Sequence, residues 1–422
     1  MIQALDRQRA IFLHGLAGKR SVVPFPAEAL RDLAQQCMST RAWAYIDGGA
    51  GNEETLESNR SAFSHVHIRP RMMHPNETAD FSSTLLGIPL AFPVLLAPIG
   101  VLDLICPKAD LHVARQCADT DVPFIFSNQA GTAMETCAQA MGDTPRWMQL
   151  YWSRSDELVM SFVRRAEATG CSALVLTVDT TLLGWRSRDL DLAYLPFLRG
   201  MGIAQYTSDP VFLELLRKGG VKSQDPVPKP AITLATIAAM LQLKRNYPGG
   251  FWKNLRSKEP LEAVRLFINI YSNPALSWDK LRWLRTQTRL PILVKGILRA
   301  EDALQARDSG ANGIIVSNHG GRQVDGATAT LHALTAIRKQ LPKPFPVLLD
   351  SGIRSGSDMF KALALGADAV LLGRPYAYGL AIDRHQGVRD TILNLLNDFE
   401  LTARLAGCRS LKEIDADMVT TQ

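Results

Sequence analysis

The chain has 422 residues, of which 46% are hydrophobic and 21% charged; these are the proportions of an ordinary globular protein and exclude disorder or a fibre. Its 47 basic and 41 acidic residues leave a formal charge of +6 with no dense basic run, which argues against nucleic-acid binding and suits small anionic ligands. No apolar run approaches the roughly 18 residues of a membrane span. The six cysteines show neither CxxC nor metal-finger spacing, so a reducing cytoplasm and no metal site are expected. Asp6, Arg7, Arg9 and His14 interrupt the apolar stretch a signal peptide would need, so none is expected.

Residues 1–80 read as a helical lead-in, which includes the glycine-rich WAYIDGGAG (43–51). Eight short branched apolar runs follow, each ending in a polar residue or glycine. The first four are VLLAPIG (94–100), PFIFSN (123–128), RWMQLYW (146–152) and ALVLTVD (173–179). The later four are PILVKGI (291–297), GIIVSNHG (313–320), PVLLDSG (346–352) and AVLLGR (369–374). Near-continuous apolar strands belong to parallel sheets buried on both faces. Between them lie helix-like stretches that finish in glycine: 156–170, 301–310 and 357–366.

This alternation predicts an α/β chain of the (β/α)8 TIM-barrel class, with the barrel over 81–400 and a helix or tail over 401–422. A doubly wound open sheet also alternates, but with fewer strands and an early GxGxxG, which is missing here. One connection, after strand four, is far longer than the rest and is read as an insertion over about 188–277. It holds a proline-rich piece, QDPVPKP (224–230), and the apolar AITLATIAAMLQL (231–243), expected to form a core or interfacial helix. A loop of that length is usually a lid or a partner contact.

Barrel enzymes carry their chemistry at the C-terminal ends of the strands. The strand ends here deliver Gly100; Ser127; Gln149 and Tyr151; Thr177 and Asp179; Lys295; Ser317, His319 and Arg322; Asp350 and Arg354; Gly373 and Arg374. SGIRSG (351–356) and LGRP (372–375) combine glycines, helix N-termini and arginines, as a phosphate cradle after strands seven and eight requires; otherwise they are turn glycines and surface arginines. In SNHGGRQVDGA (317–327), an imidazole near a guanidinium suits a general base beside an anion clamp. Asp179 either orients that histidine or caps the next helix. Lys295, after a buried ILV run, calls for an anionic partner or cofactor.

These segments resemble the FMN-dependent family that oxidises 2-hydroxy acids, over about 43–414. SNHGGRQ is its most specific signature, and QLYW, TVDT, VKGI and DSGIRSG occur in the expected order. The resemblance implies FMN as cofactor and His319 as the base, with Asp179 as its partner. It places Arg186 and Arg322 on the substrate carboxylate, Tyr45 and Tyr151 on the substrate, and Lys295 beside the flavin N1–C2=O edge. Ala97, Pro98, Ile99, Gly100, Ser127, Gln149, Thr177 and Ser317 are implied around the flavin, and Asp350, Gly352, Arg354, Gly373 and Arg374 along its ribityl phosphate.

Within the family the sequence is most similar to lactate 2-monooxygenase, through APIGV (97–101), DTTLLGWRSRDLDLAYLPFLRG (179–200) and GRPYAYG (373–379). Gly100 stands where many relatives carry alanine, and the missing methyl implies free space beside flavin N5. The resemblance therefore implies O2 as a partner and L-lactate as substrate, yielding acetate, carbon dioxide and water. An oxidase releasing 2-oxo acid and hydrogen peroxide, or a quinone-linked lactate dehydrogenase, is the alternative. It also implies a homotetramer or octamer.

Overall fold

The structure, a computed structural model, describes residues 4–75, 77–219 and 231–421. The proline-rich stretch 224–230 lies outside the described residues. All eight apolar runs form parallel strands: β1 (Val94–Leu96), β2 (Phe124–Phe126), β3 (Arg146–Leu150), β4 (Ala173–Thr177), β5 (Ile292–Ile297), β6 (Gly313–Val316), β7 (Val347–Leu349) and β8 (Ala369–Leu372). They close into a barrel in chain order, with Val370 opposite Val94 and Leu372 opposite Leu96 at the seam. The fold is a (β/α)8 TIM barrel.

Side chains alternate faces along each strand. Leu95, Ile125, Trp147, Val175, Leu293, Ile315, Leu348 and Leu371, one from each strand, form a single interior cluster. Their neighbours, such as Met148, Leu174, Val294 and Ile314, join the second cluster, which packs against the surrounding helices. A hairpin over Ser83–Leu85 and Ile88–Leu90 adds Leu85 and Leu90 to the interior cluster just before the chain enters β1. Two residues beyond Trp147, Val175 and Leu293, on the same inward face, stand Gln149, Thr177 and Lys295, all buried. The alternation thus carries polar groups to the top of the lumen.

Helices follow the strands where the pattern places them, at Asp156–Ala168, Ala300–Asp308 and Gly356–Ala364. Ser155 caps the first, its hydroxyl accepting from Leu158 N at 3.2 Å. The lead-in is helical as far as Ser64, through Ala4–Leu16, Ala27–Cys37, Thr40–Asp47 and Glu54–Ser64. At the other end, the helix expected from 401 starts much earlier. It runs over Arg374–Leu405 and breaks at Asp383 and Arg384, and the chain then finishes in a strand, Val419–Thr421, paired with Val66–Ile68.

The long connection between β4 and β5 is mostly helical and packs onto the barrel. Phe197, Tyr206, Phe212, Phe267 and Tyr271 form its aromatic core, with Tyr206 and Phe267 centroids 4.8 Å apart at 83°. Tyr206 also meets Phe162 of the barrel helix at 5.1 Å and donates to Asn128 Oδ1 at 3.0 Å. The apolar stretch 231–243 yields a helix, Leu234–Asn246, capped by the Thr233 hydroxyl. It is not a core helix, because Leu234 is 87% exposed and only Leu243 and Lys244 are buried. No helix among the described residues is long and apolar enough to cross a membrane.

The two halves of the broken C-terminal helix touch backbone to backbone at Gly379 and Gly387. A methyl on Gly387 would lie 1.9 Å from the Gly379 carbonyl oxygen. Helix propensity alone makes Gly→Ala stabilising by about 1 kcal/mol. Here Gly387→Ala is expected to destabilise by about 1–3 kcal/mol through overpacking. A thermal melt reads the sign directly, and a raised Tm would show that the two segments are not in contact.

Candidate active site

A cleft of about 920 Å³ opens at the C-terminal ends of the strands. Tyr45, Ala97, Pro98, Ile99, Gly100, Tyr151, Arg186, Lys295, His319, Arg322, Asp350, Gly352, Arg354, Gly373 and Arg374 line it. The other expected residues lie one layer beneath. Gln149 Oε1 accepts from the Ser127 hydroxyl and from Asn128 N, both at 3.2 Å, while its Nε2 donates to Thr177 Oγ1 at 3.2 Å. Lys295 Nζ lies 2.9 Å from both Ser317 Oγ and Asp350 Oδ2, and Ser317 in turn donates to Asp350 at 2.8 Å. Burial lowers the Lys295 pKa, but Asp350 and Asp179 outweigh it and the ammonium is held above its ordinary range. The partner Lys295 requires is therefore supplied by the chain itself.

The loop after β6 carries the histidine in an unusual backbone conformation. His319, Gly320 and Gly321 all have positive φ, at 58°, 66° and 76°. The glycines bear this freely, whereas at His319 it is strained. Three bonds hold the strain: His319 N to Ser317 Oγ at 3.0 Å, Gly320 N to Ser351 Oγ at 2.9 Å and Gly321 N to Asn318 Oδ1 at 3.1 Å. Asn318 is itself locked to Asn59 by reciprocal amide bonds of 2.8 Å.

The strained turn puts His319 Nδ1 2.8 Å from Asp179 Oδ1, which leaves Nε2 for the cleft. Gly296 makes this possible from the next strand, since a methyl there would meet Asp179 Cβ at 2.7 Å. Burial lowers the His319 pKa below its ordinary 6.5, and Asp179 only partly opposes this, so the ring is neutral at pH 7. Burial would raise Asp179, but His319 and Lys295 win and keep it ionised. Burial and the Asp179 charge push the Tyr151 phenol up, which keeps its proton in place as a donor.

Tyr45 comes from the lead-in helix Thr40–Asp47, which is anchored through Asp47. That carboxylate accepts from Arg31 at 2.8 and 2.9 Å, from Arg188 at 2.9 Å and from the Tyr378 hydroxyl at 2.6 Å. Two guanidiniums lie near the Tyr45 ring, Arg322 at 4.9 Å and Arg186 at 5.7 Å from its centre. Arg186 Nε is buried with no partner among the described residues. Burial, reinforced by Arg186, pushes Arg322 down to about 9, and burial pushes Arg354 down to about 10. Among the described residues, Arg354's guanidinium bonds only its own neighbour's carbonyl, that of Ile353 at 2.8 Å. Arg374 is more committed, donating to the carbonyls of Ile46, Gly320 and Gly48 at 3.1, 3.0 and 2.9 Å.

Among the lining residues not named individually from the sequence are Gln129, Thr180, Leu183 and Tyr271. Thr180 donates to Asp179 Oδ1 at 2.9 Å and lies 3.2 Å from His319 Nδ1; its place directly after Asp179 was the available signal. Tyr271 arrives from the insertion, where no strand end marks it. The expected free space at Gly100 is not found, because a methyl there would meet Gln129 Cβ at 3.2 Å and Oε1 at 3.3 Å. Trp185 stands outside the cleft and is 74% exposed.

The FMN-dependent dehydrogenase family pattern matches residues 34–421. The chain belongs to this family. It is 36% identical to the FMN-dependent alpha-hydroxy acid dehydrogenase qulF of Penicillium citrinum, over 91% of this chain and 87% of that protein. It is likewise 36% identical to an L-lactate oxidase of Lysinibacillus sphaericus, over 92% of this chain and 91% of that protein. Among solved structures, an active mutant of (S)-mandelate dehydrogenase superposes with a TM-score of 0.75 at 31% identity, covering 94% of this chain and 99% of that one.

FMN is the cofactor of this FMN-dependent dehydrogenase, and the cleft fits it. FMN brings a phosphate, and Arg354 is a half-buried cation with no side-chain ion pair among the described residues, beside Gly352 and the N-terminus of the helix Gly356–Ala364. The polar layer of Lys295, Gln149 and Thr177 offers donors and a positive charge to a flavin ring. Inorganic phosphate is therefore expected to raise the Tm of the apoprotein, by about 2.7 kcal/mol of stability at 100 times its Kd. Arg354→Met is expected to lose most of that shift in a melt series at fixed phosphate. An undiminished shift would place the phosphate elsewhere.

Proposed function

We propose that this protein oxidises a short L-2-hydroxy acid, passes the electrons to O2 and keeps the 2-oxo acid bound until it is decarboxylated. For L-lactate the products are acetate, carbon dioxide and water. The observation that carries the reading is the neutral, aspartate-held His319 in one cleft with two guanidiniums, the buried Arg186 and the half-buried Arg322. When bound, FMN supplies the two-electron chemistry, taking electrons from the substrate and handing them to O2.

The chain's own residues do the rest. Arg186 and Arg322 hold the carboxylate, which gives the unpartnered Arg186 guanidinium an anion. Tyr151 donates to the substrate hydroxyl, and His319 Nε2 takes the proton the substrate gives up. Asp179 and Thr180 hold the ring in that tautomer, and the Asp179 charge stabilises the imidazolium. Lys295 is the residue that would face the flavin N1–C2=O edge. Retention of product is supported by the same clamp, because the 2-oxo acid keeps the carboxylate. The resemblance of 97–101, 179–200 and 373–379 to lactate 2-monooxygenase supports it too.

A second reading, an oxidase that releases 2-oxo acid and hydrogen peroxide, is favoured by Gln129 filling the space at Gly100. The relatives called L-lactate oxidase from Lysinibacillus sphaericus and Nostoc sp. agree with it. A cytoplasmic location also belongs to this proposal and is supported by six unpaired cysteines.

Two experiments check the reaction. Aerobic turnover of L-lactate is expected to give acetate and carbon dioxide; stoichiometric pyruvate with peroxide would establish the oxidase reading instead. His319→Gln is expected to stay yellow with FMN while anaerobic bleaching by substrate slows about 10²–10⁴-fold. Bleaching at the wild-type rate would remove His319 from the role of base. Because burial holds the histidine below 6.5, kcat/KM should be level at neutral pH and, on the acid side, fall as the pH drops below that value. Asp179→Asn takes away a group that raises this pKa, so the acid limb should move to lower pH while the rate falls.

A further inference from the structure

At the catalytic end of the cleft, one buried polar side chain has no part in the proposed reaction. Gln129, on the loop after β2, lines the cleft and is only 8% exposed. Its side-chain amide has no hydrogen-bond partner among the described residues. The amide opens onto the cleft, so a ligand that covers it must offer it a hydrogen-bond partner or leave it unpaired at a cost.

The backbone cannot shift to find a partner. Gln129 N donates to Ser127 Oγ at 3.1 Å and its carbonyl accepts from Val101 N at 2.8 Å. The following residues are pinned as well: Ala130 O accepts from Ala204 N at 3.1 Å, and Gly131 N donates to Asp110 at 2.9 Å. On one side Gly100 leaves room for the amide, since any Cβ there would crowd it. On the other side is the insertion. A methyl on Gly202 would lie 3.0 Å from the Gln129 carbonyl and 3.1 Å from Phe197, whose ring is 6.3 Å from that of Tyr271. Gln129 and the insertion's Tyr271 thus line the same cleft as Tyr151, His319, Arg186 and Arg322.

We infer that Gln129 reads the third carbon of the substrate, and that the preferred substrate is a 2-hydroxy acid with a hydroxyl on C3. This rests on the 2-hydroxy acid reading of the site. A primary amide both donates and accepts, as does a hydroxyl, so the two pair completely. A plain methyl would bury the amide with nothing to bond. A second carboxylate would need a cation here, and both nearby arginines are taken by the first carboxylate. Sites that hydrogen-bond a substrate group discriminate against analogues lacking it far better than apolar pockets sort alkyl groups by size.

The test uses the FMN-loaded wild type and Gln129→Leu, which keeps the bulk and removes the amide. Anaerobic bleaching is compared for L-lactate and L-glycerate, and Kd is measured calorimetrically for the products, pyruvate and 3-hydroxypyruvate. The wild type is expected to favour the C3-hydroxylated member of each pair by about 10- to 100-fold. Gln129→Leu should abolish most of that preference and improve handling of L-lactate. Equal treatment of the pairs by wild type, or a preference unchanged in Gln129→Leu, overturns the inference. A variant that loses FMN affinity without changing its selectivity also overturns it, by assigning the amide to the flavin. If no 2-hydroxy acid bleaches the enzyme, the proposed function fails, and the 2-oxo acid Kd ratios still decide the role of Gln129.

Discussion

A positive charge at the top of a hydrocarbon-filled lumen is the constraint around which this site is built. Lys295 shares an inward strand face with Leu293, and Asp350, Ser317 and the charge of Asp179 make its burial tolerable. Buried ion pairs seldom improve on a well-packed apolar core, so stability is a poor explanation for this one. Its value is the charge it maintains. Lys295 helps to keep Asp179 ionised and His319 neutral, and Asp179 fixes the tautomer that leaves Nε2 in the cleft. Strands β4 to β7 all contribute to this network, with Ser317 and His319 both following β6, and barrel closure is what makes them neighbours.

The rest of the cleft divides its positive charge between two places. Arg354 and Arg374 stand by the glycine-rich turns after β7 and β8, and Arg186 and Arg322 flank Tyr45. Desolvation strains both groups, as the lowered values of Arg322 and Arg354 record. Anions at both places relieve that strain, so cofactor phosphate and substrate carboxylate stabilise what the empty fold holds at a cost. Part of the +6 formal charge is for this reason internal, facing ligands and not solvent.

Much of the fold was legible because a strand buried on both faces is written as an unbroken apolar run, and eight such runs are hard to arrange otherwise. His319, Asp179 and Lys295 were legible because strand ends are where barrels expose polar groups. Tyr271 was not, because it reaches the cleft only through an aromatic stack inside the insertion. Gly100 was misread for a related reason. A missing methyl reads as space, and only the path of the next loop shows that Gln129 occupies it. The helix at Leu234–Asn246 was foreseen as helical, but composition could not tell a buried apolar face from an exposed one.

The amino-acid sequence by itself determined the barrel, its polar rim, the FMN-dependent family and the residues available for acid–base and anion-binding work. The barrel, the rim and the available groups depend on local alternation, turn chemistry and residue type, all of which survive in one dimension, and the family rests on the resemblance of SNHGGRQ and its companion segments. Tertiary structure decided which of those groups meet: the Lys295–Asp350 pair, the strained turn that aims His319, the carbonyls that occupy Arg374 and the amide set against Gly100. Each joins residues far apart in the chain, and their geometry exists only once the barrel closes and the insertion packs against it.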